Sequence, residues 1–133
     1  MAAFMNLVIH RLVYLLEQDS GTTEAIRRLC QEKSLALVCF RSMLDLMEAV
    51  KTDQPSCIIA ANDHPHGQAL ALMEDLASKN KQVPVIILGH HNDVTSAVAA
   101  IKAGALDYIE KPTIYGRLAE QLNAVAKKTR MTA

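Results

Sequence analysis

Five short apolar runs, each followed by a stretch with helical spacing, set the tightest limit on how this chain can fold. The runs are Leu12–Leu16 (LVYLL), Leu35–Phe40 (LALVCF), Cys57–Ala61 (CIIAA), Val85–Leu88 (VIIL) and Leu106–Ile109 (LDYI). They have strand length rather than helix length, and turn-forming residues bound most of them. Between them apolar residues recur every three or four positions. Ala25, Ile26, Leu29 and Cys30 form one such set, and Leu46, Met47 and Val50 the next. Leu70, Leu72, Met73 and Leu76 follow, then Val98 and Ile101, then Leu118, Leu122 and Val125. Strands this apolar need cover on both faces. Alternating strand–helix units supply it by winding a parallel sheet with right-handed crossovers. The prediction is a doubly wound five-stranded parallel α/β sheet with helices on both faces. Local signals agree: Ser42-x-x-Asp45 has the form of a capping box, and Asn92 or Asp93 can cap the fourth helix. Gly104 stands where a helix closes on a left-handed residue, and the last helix is expected to fray at Lys127-Lys128.

Composition narrows the function classes. With 133 residues, half of them hydrophobic, the chain can bury one core. Fourteen basic and fourteen acidic residues cancel, so charge makes no case for nucleic acid or an anionic membrane as a partner. Three cysteines (Cys30, Cys39 and Cys57) are an odd, widely spaced set. That argues against a disulfide framework or a cysteine zinc site and for reduced core thiols in a cytoplasmic protein. The opening MAAFMNLVIH lacks a basic leader and is read as an N-terminal extension over residues 1–10, with the domain at 11–128 and a tail or linker start at 129–133.

In open parallel sheets, chemistry gathers outside the carboxyl ends of the strands. The residues to inspect are therefore Glu17-Gln18-Asp19, Ala61-Asn62-Asp63, Gly89-His90-His91 and Glu110-Lys111-Pro112. The third strand delivers an alanine to that edge.

Two of these segments lie in longer motifs, PVIILGHHNDV at 84–94 and AGALDYIEKP at 103–112. Together they resemble the receiver domains of two-component response regulators, most closely the FixJ type. The likeness runs from about Leu12 to about Ala126, and its lysine–proline ending is the most specific part. The resemblance implies a flavodoxin/CheY-like fold with strand order 2-1-3-4-5 and a cis peptide before Pro112. It also implies phosphorelay signalling, in which a histidine kinase phosphorylates an aspartate ending the third strand. Mg²⁺ sits on two acids after the first strand, while a Thr or Ser after the fourth strand and a lysine after the fifth hold phosphoryl oxygens. Carried over, the acid pair falls on Glu17 and Gln18 and the phospho-acceptor on Ala61. The hydroxyl residue falls on Gly89, the switch aromatic on Tyr108 and the lysine on Lys111.

Only one acid, the aromatic and the lysine survive that transfer. A methyl is no nucleophile, glycine offers no hydroxyl, and one carboxylate beside a glutamine is a poor cage for Mg²⁺. The expectation is a degenerate receiver, or pseudo-receiver, that is not an enzyme, holds no cofactor and binds Mg²⁺ weakly or not at all. It would act through a signalling partner or as a homodimer, with any DNA-binding effector outside this chain. The family's dimer and output face falls on Ala97, Ile101, Lys102, Asp107, Arg117 and Gln121. Lys111 needs a new partner, Glu17 or Asp63, and Tyr108 should be fixed either inward or outward.

Two alternatives stand beside this. Asp63 could act as a relocated acceptor, although two residues of extended chain are about 6–7 Å. His64, His66, His90 and His91 follow strands that are neighbours in that order, and could hold Zn²⁺ or sense pH. The plainer reading is a solvated loop acid and exposed histidines.

Overall fold

The computed structural model describes residues 11–62, 68–90 and 92–132, with side chains of the last helix as far as Lys127. Five strands alternate with five helices: β1 (Leu12–Leu16), α1 (Ser20–Glu32), β2 (Ala36–Phe40), α2 (Met43–Val50), β3 (Cys57–Ala61), α3 (Gln68–Ser78), β4 (Val85–Gly89), α4 (Val94–Lys102), β5 (Asp107–Glu110) and α5 (Tyr115–Thr132). The strands are all parallel, in the order β2-β1-β3-β4-β5, as the alternation and the resemblance lead one to expect.

The two-residue period of a strand sorts the core into two layers. Val13, Leu15, Ile59, Leu88 and Ile109 cluster with Ile26 of α1 and with Leu118 and Leu122 of α5. Tyr14, Leu16, Ile58, Ile87 and Tyr108 cluster on the other face with Leu46, Leu72 and Ala100 of α2, α3 and α4. The caps at Ser42, Asp93 and Gly104 are where the sequence puts them, and Asp19 is one it did not name. Asp19, Ser42 and Asp93 each accept a backbone N–H at a helix start, and Gly104 has φ +100°. The Lys111–Pro112 peptide is cis. No helix among the described residues is long and apolar enough to cross a membrane.

Three details differ from the sequence reading. β2 begins one residue later than the apolar run, and β5 is shifted one residue onward. β2 is an edge strand with Ala36, Val38 and Cys39 exposed, because an end strand has a single neighbour and incomplete helix cover. Cys39 is therefore not the core thiol expected. It faces solvent with Arg27 Nη2 3.6 Å from its sulfur, while Cys30 and Cys57 are buried. Burial pushes the Cys30 thiol up to about 11 and the Cys57 thiol up to about 12. Third, α5 continues to Thr132, beyond the expected fraying point.

One part-buried polar contact fastens β1 to the loop before β3. The Tyr14 hydroxyl donates to Asp53 Oδ2 at 2.7 Å, and its ring packs edge-on against Phe40 with centroids 4.9 Å apart. Burial, then the bond to Asp53, then the Asp53 charge raise the Tyr14 pKa. A raised folded-state pKa gives stability that is full below the unfolded value, about 10, and is lost as pH rises through the folded one. Tyr14→Phe is expected to cost about 1 kcal/mol at neutral pH and to flatten the alkaline decline above about pH 10. Urea unfolding at neutral and alkaline pH checks both.

Candidate functional site

Backbone pairing brings the inspected residues to one edge. Leu16 pairs with Ala60, Ala61 with Leu88, and Gly89 with Glu110. By alternation Glu17, Ala61 and Lys111 belong to the α1/α5 side of the sheet, and Gly89 and Tyr108 to the α4 side. The edge thus carries two separate clusters.

On the first side the Glu17 side chain is 1% exposed and its Oε1 lies 2.6 Å from Lys111 Nζ. The contact is a charge pair rather than an aligned hydrogen bond, since Oε1 accepts none. Oε2 accepts the backbone N–H groups of Gln18 at 2.9 Å and Asp19 at 3.2 Å. Of the two partners the sequence offers Lys111, Glu17 is paired with it, and Asp63 lies outside the described residues. Gln18 turns away and donates its side-chain amide to the Arg41 carbonyl. Asp19 is exposed and caps α1, accepting from Thr22 Oγ1 at 2.7 Å and Thr22 N at 2.8 Å. The Thr22 hydroxyl and then its amide hold the Asp19 carboxyl below the usual range. Ala61 completes the edge as a buried methyl. Beside Lys111 an open hollow of about 540 Å³ is bounded by Thr22, Ile114 and Tyr115, and a second of about 400 Å³ lies along α1 between Leu29 and Tyr115.

These residues do not fit Mg²⁺. The ion needs several free oxygen ligands. The single carboxylate at the first position already faces an ammonium and two amides, and its neighbours are a diverted amide and a methyl. Among the described residues no three of His, Cys, Asp and Glu converge on a metal-sized space. Asp63, His64, His66 and His91 lie outside the described residues, and His90 is exposed.

On the second side Tyr108 is buried, and its ring tip reaches Gly89. A Cβ built on Gly89 would stand 1.8 Å from the Tyr108 hydroxyl oxygen. The aromatic is therefore inward, the question the sequence left open. Burial raises the Tyr108 pKa, aided by the charges of Asp93 and Glu110, while the His90 backbone opposes the shift.

The face expected to serve dimerisation divides in two. Asp107 is buried and paired within the molecule. Arg117 Nε donates to its Oδ2 at 2.8 Å and Nη2 to its Oδ1 at 2.7 Å, while Gln121 Nε2 donates to Oδ2 at 3.0 Å. Ala97 is half-buried against the core, whereas Ile101 and Lys102 are exposed. Beside Ile101, which the sequence reading named, the structure exposes three residues that the reading did not place on this face, Val94, Val98 and Leu106. Val94 is 69% exposed, Val98 47%, Ile101 53% and Leu106 48%, forming an uncovered apolar stripe on α4 and the turn after it. Positions 94, 98 and 101 have helix-face spacing, a signal that was present but indistinguishable from a core stripe.

The carboxyl edge of this doubly wound sheet thus gathers an acid, a lysine before a cis proline and an inward aromatic, the set expected of a receiver domain. The response regulator receiver domain model matches residues 13–123, and the chain belongs to that family. It is 32% identical over 101 residues to the response regulator protein TodT of Pseudomonas putida, covering 76% of this chain and 44% of that protein. It is 28% identical over 101 residues to the DNA-binding transcriptional regulator NtrC of Escherichia coli K12, covering 76% of this chain and 22% of that protein. The chain thus spans less than half the length of these relatives. The solved structure of FixJ-N superposes with a TM-score of 0.76 at 21% identity, covering 87% of this chain and 93% of that one, and bears on the fold alone.

Proposed function

We propose that this domain is a receiver that stores no phosphoryl group and acts as a cytoplasmic protein-interaction module of a bacterial two-component pathway. The observation that carries the reading is the buried methyl of Ala61 beside a lysine whose counter-ion is the protein's own Glu17. Phosphoryl acceptance needs a lone pair at the end of β3 and a cation to gather the charge. The first is missing, and the carboxylate that would help hold the second is engaged. Gln18 and Gly89 remove the second acid and the hydroxyl, so acceptance, metal binding and readout each lack a group.

Interaction then falls to the uncovered stripe Val94, Val98, Ile101 and Leu106. Isolated apolar residues on a surface need no explanation, but a contiguous row flanked by Lys102 suits an interface. Asp107, Arg117 and Gln121 already satisfy one another, so the contact we propose is apolar rather than an ion-pair network. A second copy of this chain is the simplest occupant. By analogy with relatives named as transcription regulators, the module would govern a DNA-binding effector, while binding no nucleic acid itself.

Treatment with acetyl phosphate, or with beryllofluoride and Mg²⁺, is expected to leave intact mass and sedimentation unchanged. Ile101→Glu is expected to weaken self-association about tenfold or more. A stoichiometric adduct that disappears in Asp63→Asn would return the domain to ordinary phosphorelay. Stoichiometric zinc in the purified protein would favour the histidine edge instead.

A further inference from the structure

Gly89 ends a strand, and its glycine identity has no backbone reason. Positive φ values among the described residues occur at Ser34, Asn80, Asn92 and Gly104, not here. A glycine of ordinary φ inside a strand marks a close approach by something else. Here that something is Tyr108. A Cβ on Gly89 would stand 1.8 Å from its hydroxyl oxygen, 2.0 Å from Cζ and 2.7 Å from Cε1, none of which is a tolerable separation. The ring tip fills the volume that any other residue at 89 would claim.

The ring is 8% exposed and shares its apolar cluster with Ile87 of β4 and Ala100 of α4, with Ala97 packed against that cluster. The small alanines on the inner side of α4 leave the phenol room between helix and sheet. Rigid packing of this kind resists continuous deformation.

We propose that Gly89 and Tyr108 form a permanent brace: the missing side chain at 89 leaves the space that the phenol fills, and the ring packed there among Ile87 and Ala100 holds α4 in one arrangement on the sheet. This rests on the reading that no phosphoryl group is stored. It adds that the outer stripe of α4 has no second arrangement to switch to, so association responds to concentration alone.

The test uses the full chain with ¹³Cε-labelled tyrosine, which changes no contact. The chain has three tyrosines, so Tyr108→Phe assigns the signal by its disappearance. One Tyr108 environment is expected, unmoved by beryllofluoride and Mg²⁺. In Gly89→Ala the signal should shift toward that of the half-exposed Tyr115. Two exchanging Tyr108 signals in the unmodified chain, or an unmoved signal in Gly89→Ala, would overturn the brace. If Gly89→Ala folds poorly, urea midpoints decide. The loss caused by Gly89→Ala should largely vanish in a Tyr108→Leu background, where the ring is gone. An equal loss in both backgrounds would place the strain elsewhere and sink the proposal. The adduct assay reports separately on phosphoryl storage, so the two ideas can fail independently.

Discussion

Lys111→Met is expected to lower the unfolding free energy by about 2–3 kcal/mol, among the largest losses for any partly exposed residue here. The substitution keeps the length and apolar stem of the side chain and removes only the charge. Glu17 would then be an almost wholly buried carboxylate facing no cation, with only the two amides on its other oxygen. Removing one partner of a buried ion pair commonly costs about 3–5 kcal/mol, because the survivor keeps its desolvation penalty. The expected loss falls at or below the bottom of that range because Lys111 is 22% exposed and water can reach the edge. Urea titration of the two proteins measures the difference. A loss under about 0.5 kcal/mol would mean that solvent already screens the pair. Glu17→Gln should cost less, because it removes the charge that most needs compensation. Its lysine partner can turn toward water.

Ala61→Asp should produce the second large effect, in a direction that depends on the metal. Ala61 is buried and sits beside Glu17 through the β1–β3 register. A carboxylate there gives two negative charges a single ammonium to share. The expected loss without divalent ions is about 2–4 kcal/mol, with a fall in melting temperature of several degrees. Mg²⁺ should restore part of it, since the introduced oxygens supply what the natural edge lacks. A ligand at one hundred times its dissociation constant contributes about 2.7 kcal/mol. The unmodified chain should melt at the same temperature with and without millimolar Mg²⁺. A clear Mg²⁺ response there would show that the edge still binds the ion, which counts against the proposed function. Even in the variant, Gly89 offers no hydroxyl and Tyr108 occupies its space. Acceptance would therefore return without readout.

The order of the elements was readable because it follows from short-range chemistry. LVYLL, CIIAA and VIIL admit few structures besides strands covered on both faces, and Ser42 and Asp93 mark where two of the helices begin. The motifs ending in Lys111-Pro112 carried the family, which the receiver-domain match over residues 13–123 bears out. β2 was less legible. LALVCF has the letters of a central strand, yet exposure depends on which strands have two neighbours, and that belongs to the whole sheet. Cys39 was misplaced for the same reason.

The sequence by itself determined the doubly wound sheet and the absence of a nucleophile at position 61, because both depend on which side chains exist and how they are spaced. Only the tertiary structure decided that Lys111 faces Glu17, that Asp107 is held by Arg117 and Gln121, that Val94, Val98 and Ile101 lie uncovered, and that Tyr108 rests on Gly89. Those are contacts or exposures between residues far apart along the chain. Their geometry is set by how five strands stack and which helix covers each, and no local pattern encodes it.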